Sequence, residues 1–419
     1  MSLDVNISEP DEFNCNELHS CIDVVAKLKG LEDFVYHVDF ICGNGENLIA
    51  NVFRILIKDV QSEDKQYSFI VKTLINTARQ ELFHELHIRE VNAYEMIVKK
   101  YEIIQESLDI EQRIVFPKCE YTRIEKNQEV IILEDMKAKG YQTDTKLANY
   151  ERLDYTQVST AIKELAKFHA LSFIYEKQDS QTFENIKSKF QDIIFTERFL
   201  NKSKLRNYFH ESYGMSLNLV EDLKAKKKLE MIQLRLLELL KLYTRPGKSN
   251  VLCHGDYWIN NIMFKNDENN ETKVCFIDFQ VMRFSSPLTD ILHFLFLCTD
   301  SAFRTAYFDD LMIDYYDSLK AFLNAYSIDI NSVYTKEDFD DDCKTFLPFG
   351  FLLAMIELRI LTTTPEDEAI SKGSNIVPGI HISEVPGELV YYKMRVNDVV
   401  KECVNNGVLD RVVDKLSSL

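Results

Sequence analysis

The chain changes its pattern of apolar and polar positions about one third of the way along. Before Met136, short apolar or β-branched runs alternate with polar turns, which is the pattern of strands. The predicted strands are Leu48–Lys58, Tyr67–Thr73, Ile114–Tyr121 and Glu129–Leu133. A single apolar stripe from Ala78 to Tyr101 predicts one helix among them.

Beyond Asp135 the apolar residues recur every 3.6 positions, which predicts helices. These helices are expected at Tyr155–Tyr175, Phe190–Asn201, Val220–Tyr243, Leu288–Cys298, Tyr307–Tyr326 and Asp340–Thr362. One strand pair is expected within this helical part, on either side of the polar turn Asn266–Glu271.

The two patterns together predict an α+β fold with two lobes. We expect a small sheet-rich lobe at residues 31–137, a larger helical lobe at residues 138–419, and a short link near Glu134–Lys139. Residues 1–30 are expected to form an N-terminal extension, with an amphipathic helix near Leu18–Leu28 that packs on the rest. A cleft between two such lobes is a natural place for a ligand.

Composition narrows the classes of partner. The formal net charge of −18 argues against nucleic acid, since a phosphate backbone requires a cationic surface. No apolar run reaches the roughly 18 residues of a membrane span, and the first residues lack a basic, apolar leader, so we expect a cytoplasmic protein. None of the nine cysteines has CxxC spacing, so reduced thiols are expected. We also expect a monomer.

Candidate chemistry is concentrated in two polar interruptions of apolar runs. Val251–Phe264 contains His254-Gly255-Asp256 and Asn261, and Val274–Gln280 contains Asp278. A carboxylate within an apolar run is costly to bury unless it is paired or bound to a cation. Phosphoryl transfer needs a carboxylate to accept the proton of the attacking hydroxyl, and oxygen ligands for Mg²⁺. Asp256 suits the first role, and Asn261 and Asp278 suit the second.

The predicted sheet supplies a matching cation. Lys72 ends the strand Ser68–Thr73 beside apolar neighbours, and Glu90 lies on the apolar stripe of the helix that follows. Because an isolated carboxylate there would be unfavourable, we expect Lys72 and Glu90 to form an ion pair. Such a pair places a lysine on the α- and β-phosphates of ATP.

Two further segments are candidate nucleotide contacts. A glycine turn before the second strand can lay backbone amides over phosphates, although this pattern is common in hairpins. Its residues are Gly43, Asn44, Gly45, Glu46 and Asn47. The strand that leads out of the first lobe offers its backbone to an adenine edge, through Leu133, Glu134, Asp135 and Met136.

These residues resemble the ecdysteroid kinase-like family, within the aminoglycoside phosphotransferase and choline kinase superfamily. The matching segments are Gly43–Asn47, Phe69–Lys72, Glu90 with Tyr94, Leu133–Asp135, Leu165–Ser172, His254–Asn261 including Trp258, and Ile277–Gln280. The resemblance implies a protein-kinase-like bilobal fold, with ATP and Mg²⁺ as cofactors and a hydroxyl compound as acceptor. In characterised relatives, that acceptor can be an ecdysteroid.

The resemblance also implies a role for each matching residue. Lys72 and Glu90 hold the phosphates, Asp256 is the base, and Asn261 and Asp278 bind metal. His254 and Trp258 support the catalytic loop, and Asp290 braces it from the next helix.

Several alternatives stay open at this stage. Gln280 and Gly255 stand where a protein kinase has glycine and arginine, which disfavours a protein substrate. A choline or aminoglycoside type of kinase is one alternative, and ecdysteroids, other lipophilic alcohols and xenobiotics all stay open as acceptors. A catalytically silent nucleotide-binding protein is a further alternative. We expect the acceptor pocket among the helices after residue 146, including Phe346–Ile360. His169 and His293 are expected to be hydrogen-bonded core residues.

Overall fold

The computed structural model describes residues 18–41, 50–62, 64–74, 80–143, 153–203, 205–266, 272–361 and 386–417. Its N-terminal part is a five-stranded antiparallel sheet with the strand order β1-β2-β3-β5-β4. The strands are β1 (Phe34–Phe40), β2 (Ala50–Asp59), β3 (Gln66–Leu74), β4 (Cys119–Arg123) and β5 (Val130–Glu134). Four of them lie within or near the predicted runs, and β1 lies in the region predicted to be rich in strands.

One face of the sheet is covered by the first helix, α1 (Leu18–Leu28). Alternate residues of β2, such as Phe53, Ile55 and Ile57, are almost fully buried against it. The apolar stripe of α1 includes Ile22 and Val25. The buried alternate residues of β2 and the apolar stripe of α1 therefore pack together as one small core.

The predicted helix between strands is a continuous helical segment with an irregular centre. It begins as α2 (Gln80–Asn92), continues as a π-helix at Ala93–Val98, and ends as α3 (Lys99–Gln105). A π-helical turn bonds residue i to i+5 and so takes in an extra residue, often near functional sites. Here it lets Tyr94, Ile97 and Tyr101 all reach 0% exposure.

The remainder of the chain is mostly helical. Its helices are α4 (Tyr155–Gln178), α5 (Ser180–Lys189), α6 (Glu197–Ser203), α7 (Leu205–Leu219), α8 (Leu223–Gln233), α9 (Leu236–Tyr243), α10 (Leu288–Cys298), α11 (Ser301–Ala325), α12 (Lys336–Glu357), α13 (Pro386–Asn405) and α14 (Val408–Leu416). Every residue of α10 is buried, so this helix forms the centre of the lobe. It packs against α12, and α4 packs against α11.

Two predicted helices differ most from the structure, and the helices predicted from Tyr307 and Asp340 begin earlier, at Ser301 and Lys336. The segment predicted from Phe190 becomes helical only at Glu197, because the Asp192 carboxylate accepts a bond from the Phe195 backbone N–H in a turn (2.9 Å). The long helix predicted at Val220–Tyr243 is divided into α8 and α9 at Leu234 and Arg235. The helices α5 and α7 were not predicted as separate elements.

Two short antiparallel strand pairs lie between the sheet and the helices. The first joins β6 (Val251–Cys253) to β9 (Arg283–Ser285), and the second joins β7 (Ile262–Asn266) to β8 (Thr272–Phe276). The second pair is the one predicted around the polar turn. These strands connect the segments that contain the polar interruptions, so the pairs set their relative positions.

The fold is thus an α+β fold with a sheet-rich first part and a helical second part, as predicted. Among the described residues, no helix is both long and apolar enough to cross a membrane. The seven cysteines of those residues have free thiols, as expected from their spacing.

Candidate active site

The turn that follows β6 depends on a glycine. Gly255 has φ +89°, a conformation that a residue with a Cβ rarely adopts. A Cβ at this position would also lie only 2.1 Å from the Val281 carbonyl oxygen. The chain can therefore turn here, between His254 and Asp256, only because residue 255 has no side chain.

Asp290, on the first turn of α10, holds this turn in place. Its carboxylate accepts hydrogen bonds from the backbone N–H groups of His254 (2.6 Å) and Gly255 (2.9 Å). His169 Nε2 is 3.1 Å from the same carboxylate. Burial acts to raise the pKa of Asp290, but the bond and charge of His169, with Arg283 beyond, lower it below its usual value. Asp290 therefore stays ionised at 0% exposure.

His169, Cys253 and Asp290 lie close enough together to hold a metal ion. Their hydrogen bonds account for the arrangement without one. His169 Nδ1 bonds to the Tyr315 hydroxyl at 2.8 Å, and the Cys253 thiol lies 3.3 Å from the Ser286 carbonyl oxygen. The cluster is the buried support of the turn.

Asp256 and Asn261 face each other across the loop. The Asn261 side-chain amide donates to Asp256 Oδ2 (2.8 Å) and to the Asp256 backbone carbonyl (2.9 Å). Burial raises the pKa of Asp256 to about 6; His293 opposes this shift, and the nearby Glu357 and Asp278 charges add to it. A carboxylate poised near neutral pH is suited to accept a proton from a hydroxyl.

Lys72, Glu90 and Asp278 form a buried ionic network. Lys72 Nζ lies 2.8 and 2.7 Å from the two Glu90 carboxylate oxygens and 2.9 Å from Asp278 Oδ1. Burial acts to lower the pKa of Lys72, but the Asp278 and Glu90 charges raise it above its usual value. Lys72 is therefore a fixed cation that joins the sheet (β3), the helix α2 and the segment after β8.

Asp278 projects from a bend directly after β8. Its φ of +68° is in the left-handed region, which aspartate tolerates better than most residues. Ile277, the residue before Asp278, is fixed through its backbone N–H and its backbone carbonyl. The N–H donates to the Asn261 carbonyl (3.1 Å), and the carbonyl lies 2.9 Å from His254 Nε2. The metal candidates Asn261 and Asp278 are thus tied to one frame.

Comparison with known protein families gives a match over most of the chain. The model of the ecdysteroid kinase-like family matches residues 44–327, about two thirds of the chain. The chain belongs to the ecdysteroid kinase-like family. None of the curated proteins matches it.

Solved structures give more distant similarities. The amicoumacin kinase hAmiN, in complex with AMP-PNP, Ca²⁺ and Ami, is 13% identical, with a TM-score of 0.43 and coverage of 93% of this chain and 94% of that one. A Plasmodium vivax ethanolamine kinase is 15% identical, with a TM-score of 0.38 and coverage of 87% and 81%. The GDP complex of aminoglycoside 2'-phosphotransferase-IIIa is 12% identical, with a TM-score of 0.39 and coverage of 93% and 99%.

The remaining predicted residues of this ecdysteroid kinase-like protein are placed as follows. Trp258 is half-buried after the turn at His254–Asp256, and its indole N–H is buried without a partner among the described residues. Phe279 and Tyr94 of the π-helix pack in a T-shaped arrangement, with ring centroids 5.4 Å apart. The glycine turn Gly43–Asn47 lies outside the described residues.

In the segment Leu133–Met136, where β5 leads out of the sheet, the side chains bond or pack within the protein. Asp135 accepts bonds from Arg54 Nε (2.6 Å) and Ser68 Oγ (2.7 Å), so its side chain fixes the end of the sheet. Leu133 and Met136 are buried, and Glu134 pairs with Lys139 at 2.6 Å. A backbone contact of this segment with a nucleotide stays a prediction.

Three polar residues near Asp256 were missed as site candidates. Arg283 of β9 donates from Nη1 to the Gly255 carbonyl at 3.1 Å. His293 Nε2 lies 2.7 Å from Glu357 Oε2. Their one signal in the sequence is a polar residue within an apolar run, which is too common to identify a site.

Proposed function

We propose that this protein is a small-molecule kinase that transfers the γ-phosphate of ATP to a hydroxyl of a small, lipophilic acceptor, such as an ecdysteroid or a xenobiotic alcohol. The supporting observation is the convergence of Asp256, Asn261 and Asp278 on one frame, with Asp278 held by the Lys72–Glu90 pair. These residue types, in this arrangement, meet the requirements of phosphoryl transfer.

Each residue has a defined task in the proposed reaction. The Asp256 carboxylate orients the acceptor hydroxyl and takes its proton as the new P–O bond forms and the bond to the ADP oxygen breaks. Lys72 neutralises the α- and β-phosphates, and Glu90 fixes the direction of its ammonium group. Asn261 positions the base through its two hydrogen bonds.

The residues present fit a divalent cation bound with the nucleotide. The Asn261 amide nitrogen is used on Asp256, so the side-chain oxygen is the atom that Asn261 would offer to a cation, and Asp278 would add carboxylate oxygens. Such oxygen donors are those that Mg²⁺ prefers. Bound Mg²⁺ would supply neutralisation of the phosphate charge. Asn261 and Asp278 are the side chains that would hold it.

A small acceptor is favoured over a protein by the short path that follows Asp278. Only the residues up to Pro287 separate this metal candidate from α10, and three of them form β9. A protein kinase uses a long activation segment there to receive its substrate. The absence of room for such a segment supports an acceptor that enters the cleft as a small molecule.

The proposal is tested by incubating the full-length protein with Mg-ATP and a panel of hydroxyl compounds. The panel contains ecdysteroids, plant-derived lipophilic alcohols, choline, ethanolamine and kanamycin, and the readout is a mass gain of one phosphate. We expect a product from a lipophilic alcohol. Product only from choline, ethanolamine or kanamycin would reject the lipophilic acceptor and support the alternative type of kinase.

Asp256→Asn is the matched variant, because it keeps the size of the side chain but removes the base. We expect kcat to fall about 10²- to 10⁴-fold while nucleotide binding is retained. Full activity of this variant would overturn the proposed mechanism. Nucleotide binding by the wild-type protein without product from any compound would identify a silent nucleotide-binding protein.

A further inference from the structure

Three buried histidines surround the catalytic turn, and one of them is incompletely bonded. His169 uses both ring nitrogens, on Tyr315 and on Asp290. His254 Nε2 bonds to the Ile277 carbonyl, and its Nδ1 lies 3.4 Å from the Asp256 backbone N–H. His293 bonds through Nε2 to Glu357, but its Nδ1 is buried and has no partner in the described part of the chain.

The unpartnered nitrogen is unusual because it is withdrawn from solvent. The His293 side chain is 4% exposed, and its neighbours Leu292 and Phe294 on α10 are fully buried. A buried polar atom without a hydrogen bond costs about 1–3 kcal/mol. Such atoms in native proteins therefore call for an explanation, and a ligand that supplies the missing bond is one.

His293 also lies close to the proposed base. It is one turn beyond Asp290 on α10, on the side of the helix that supports the catalytic turn. Asp290, one turn earlier on the same helix, accepts bonds from the backbone N–H groups of His254 and Gly255, the two residues before Asp256. Glu357, the last residue of α12, keeps 21% of its side chain exposed, so the pair reaches accessible space.

The bond between His293 and Glu357 determines which kind of group the free ring nitrogen of His293 can bind. The Glu357 carboxylate can only accept, so His293 Nε2 carries the hydrogen in their bond. Nδ1 is then a bare acceptor in the neutral ring and an N–H donor in the charged ring. A hydroxyl both donates and accepts, so it satisfies Nδ1 in either state.

We propose that Nδ1 of His293, with the ring oriented by Glu357, binds a hydroxyl of the acceptor beside Asp256. This inference rests on the proposed function and adds to it a residue that determines acceptor affinity. From its apolar helix, His293 was predicted to be a hydrogen-bonded core residue; here it also contacts the acceptor. His169 is not assigned such a contact, because both of its ring nitrogens are bonded.

Two substitutions separate the two ring nitrogens. In His293→Gln the amide nitrogen replaces Nε2 and can still donate to Glu357, but nothing replaces Nδ1. In His293→Asn the amide replaces Nδ1, and the bond to Glu357 is lost. His210→Gln, at a half-buried histidine of α7, is the control for the chemical change. A purely structural role would make His293→Gln the milder of the two variants at His293.

The test measures binding of ecdysone, ethanolamine and kanamycin to the complex of the protein with Mg-AMP-PNP, by calorimetry. For at least one probe we expect His293→Gln to weaken binding about tenfold, with less loss in His293→Asn and none in His210→Gln. Affinity for Mg-AMP-PNP itself should be unchanged in all three variants. Equal binding by wild type and His293→Gln for every probe overturns the inference, and so does a lack of binding by every probe.

The two proposals fail in different ways. A probe that binds in a manner dependent on His293, but yields no phosphorylated product, contradicts the proposed function alone. A probe that is phosphorylated with the same acceptor KM and kcat by wild type and His293→Gln contradicts the role of His293 alone.

Discussion

At the scale of single residues, Gly255 combines a left-handed backbone with a close contact to the Val281 carbonyl. We predict that Gly255→Ala lowers the free energy of unfolding by about 3 kcal/mol and displaces Asp256, with a loss of activity. Thermal and denaturant unfolding measure the first effect. The control is Gly140→Ala, with a similar φ of +88° but only the flexible Lys265 side chain nearby, which should cost about 1 kcal/mol. Equal losses in both variants would contradict this account.

A second prediction concerns His87 on α2. Its Nε2 lies 2.7 Å from the Arg123 carbonyl, and burial lowers the pKa of His87 to about 4. Because the folded pKa lies below the unfolded value of about 6.5, the folded state resists protonation. The contribution of neutral His87 to the free energy of unfolding is complete above pH 6.5. It is lost progressively as the pH falls towards 4, by up to about 3 kcal/mol.

His87→Gln keeps a donor for the Arg123 carbonyl but cannot be protonated. We expect the free energy of unfolding to fall less steeply between pH 6.5 and 4 in this variant than in the wild type. His37→Gln, at an exposed histidine, should follow the wild-type curve. A His87→Gln curve parallel to the wild type would exclude His87 as a source of acid sensitivity.

Residue chemistry explains which site residues could be found from the sequence. Asp256, Asp278 and Glu90 stand out because a carboxylate in an apolar run must have a partner, and the structure gives each one. Arg283 and His293 were missed because a basic residue in an apolar run is usually explained by the local core. Their relevance depends on contacts with Gly255 and Glu357, which no local pattern contains.

At the scale of elements, α10 holds the turn at His254–Asp256 through Asp290. We predict that Asp290→Asn lowers the free energy of unfolding by about 3 kcal/mol and reduces kcat, since one acceptor oxygen is replaced by an amide that opposes a backbone N–H. Steady-state kinetics and unfolding measurements test this.

Asp300→Asn, at the N-cap of the next helix, is a suitable control, because that residue caps α11 far along the chain from the catalytic turn. Because asparagine caps a helix about as well as aspartate, this variant should change the free energy of unfolding little and leave kcat unchanged. An Asp290→Asn variant with wild-type kcat would contradict the assigned role of Asp290.

Element boundaries show how far periodicity alone can predict. The helix Leu288–Cys298 was predicted with its observed ends, because its apolar run stops at a Pro on one side and polar residues on the other. The division of Val220–Tyr243 into α8 and α9 was missed, because the apolar spacing continues through the break at Arg235. The π-helix was missed for the same reason.

At the scale of the whole molecule, Lys72 and Asp278 connect the sheet to the helical part through the site itself. A nucleotide bound there should stabilise the whole fold. We predict that Mg-AMP-PNP at about 100 times its Kd adds about 2.7 kcal/mol to the free energy of unfolding, and that EDTA removes most of this gain. The measurement is thermal unfolding with and without each addition.

Asp278→Asn is the matched variant for the metal requirement. It keeps the size of the side chain and should lose most of the magnesium-dependent part of the shift. A shift of equal size in EDTA, or in Asp278→Asn, would contradict the assignment of Asp278 as a metal ligand.

The two-part architecture was predictable because the change from strand to helix spacing falls at one place in the chain. The packing of α10 at the centre of the helical part was not, since a wholly apolar helix is equally consistent with several positions. Long-range partners, such as Arg304 with Glu402 (2.6 Å), lie 98 positions apart and leave no local pattern.

The π-helix at Ala93–Val98 has a consequence for how related sequences are aligned. It accommodates one residue more than a regular helix between Glu90, which must meet Lys72, and Tyr101, which bonds to Ser172 at 2.9 Å. A relative with a regular helix here would lack one residue, and the deletion belongs within 93–98. A gap placed before Glu90 would shift that carboxylate out of the position that pairs with Lys72, so the two residues would no longer be aligned as partners.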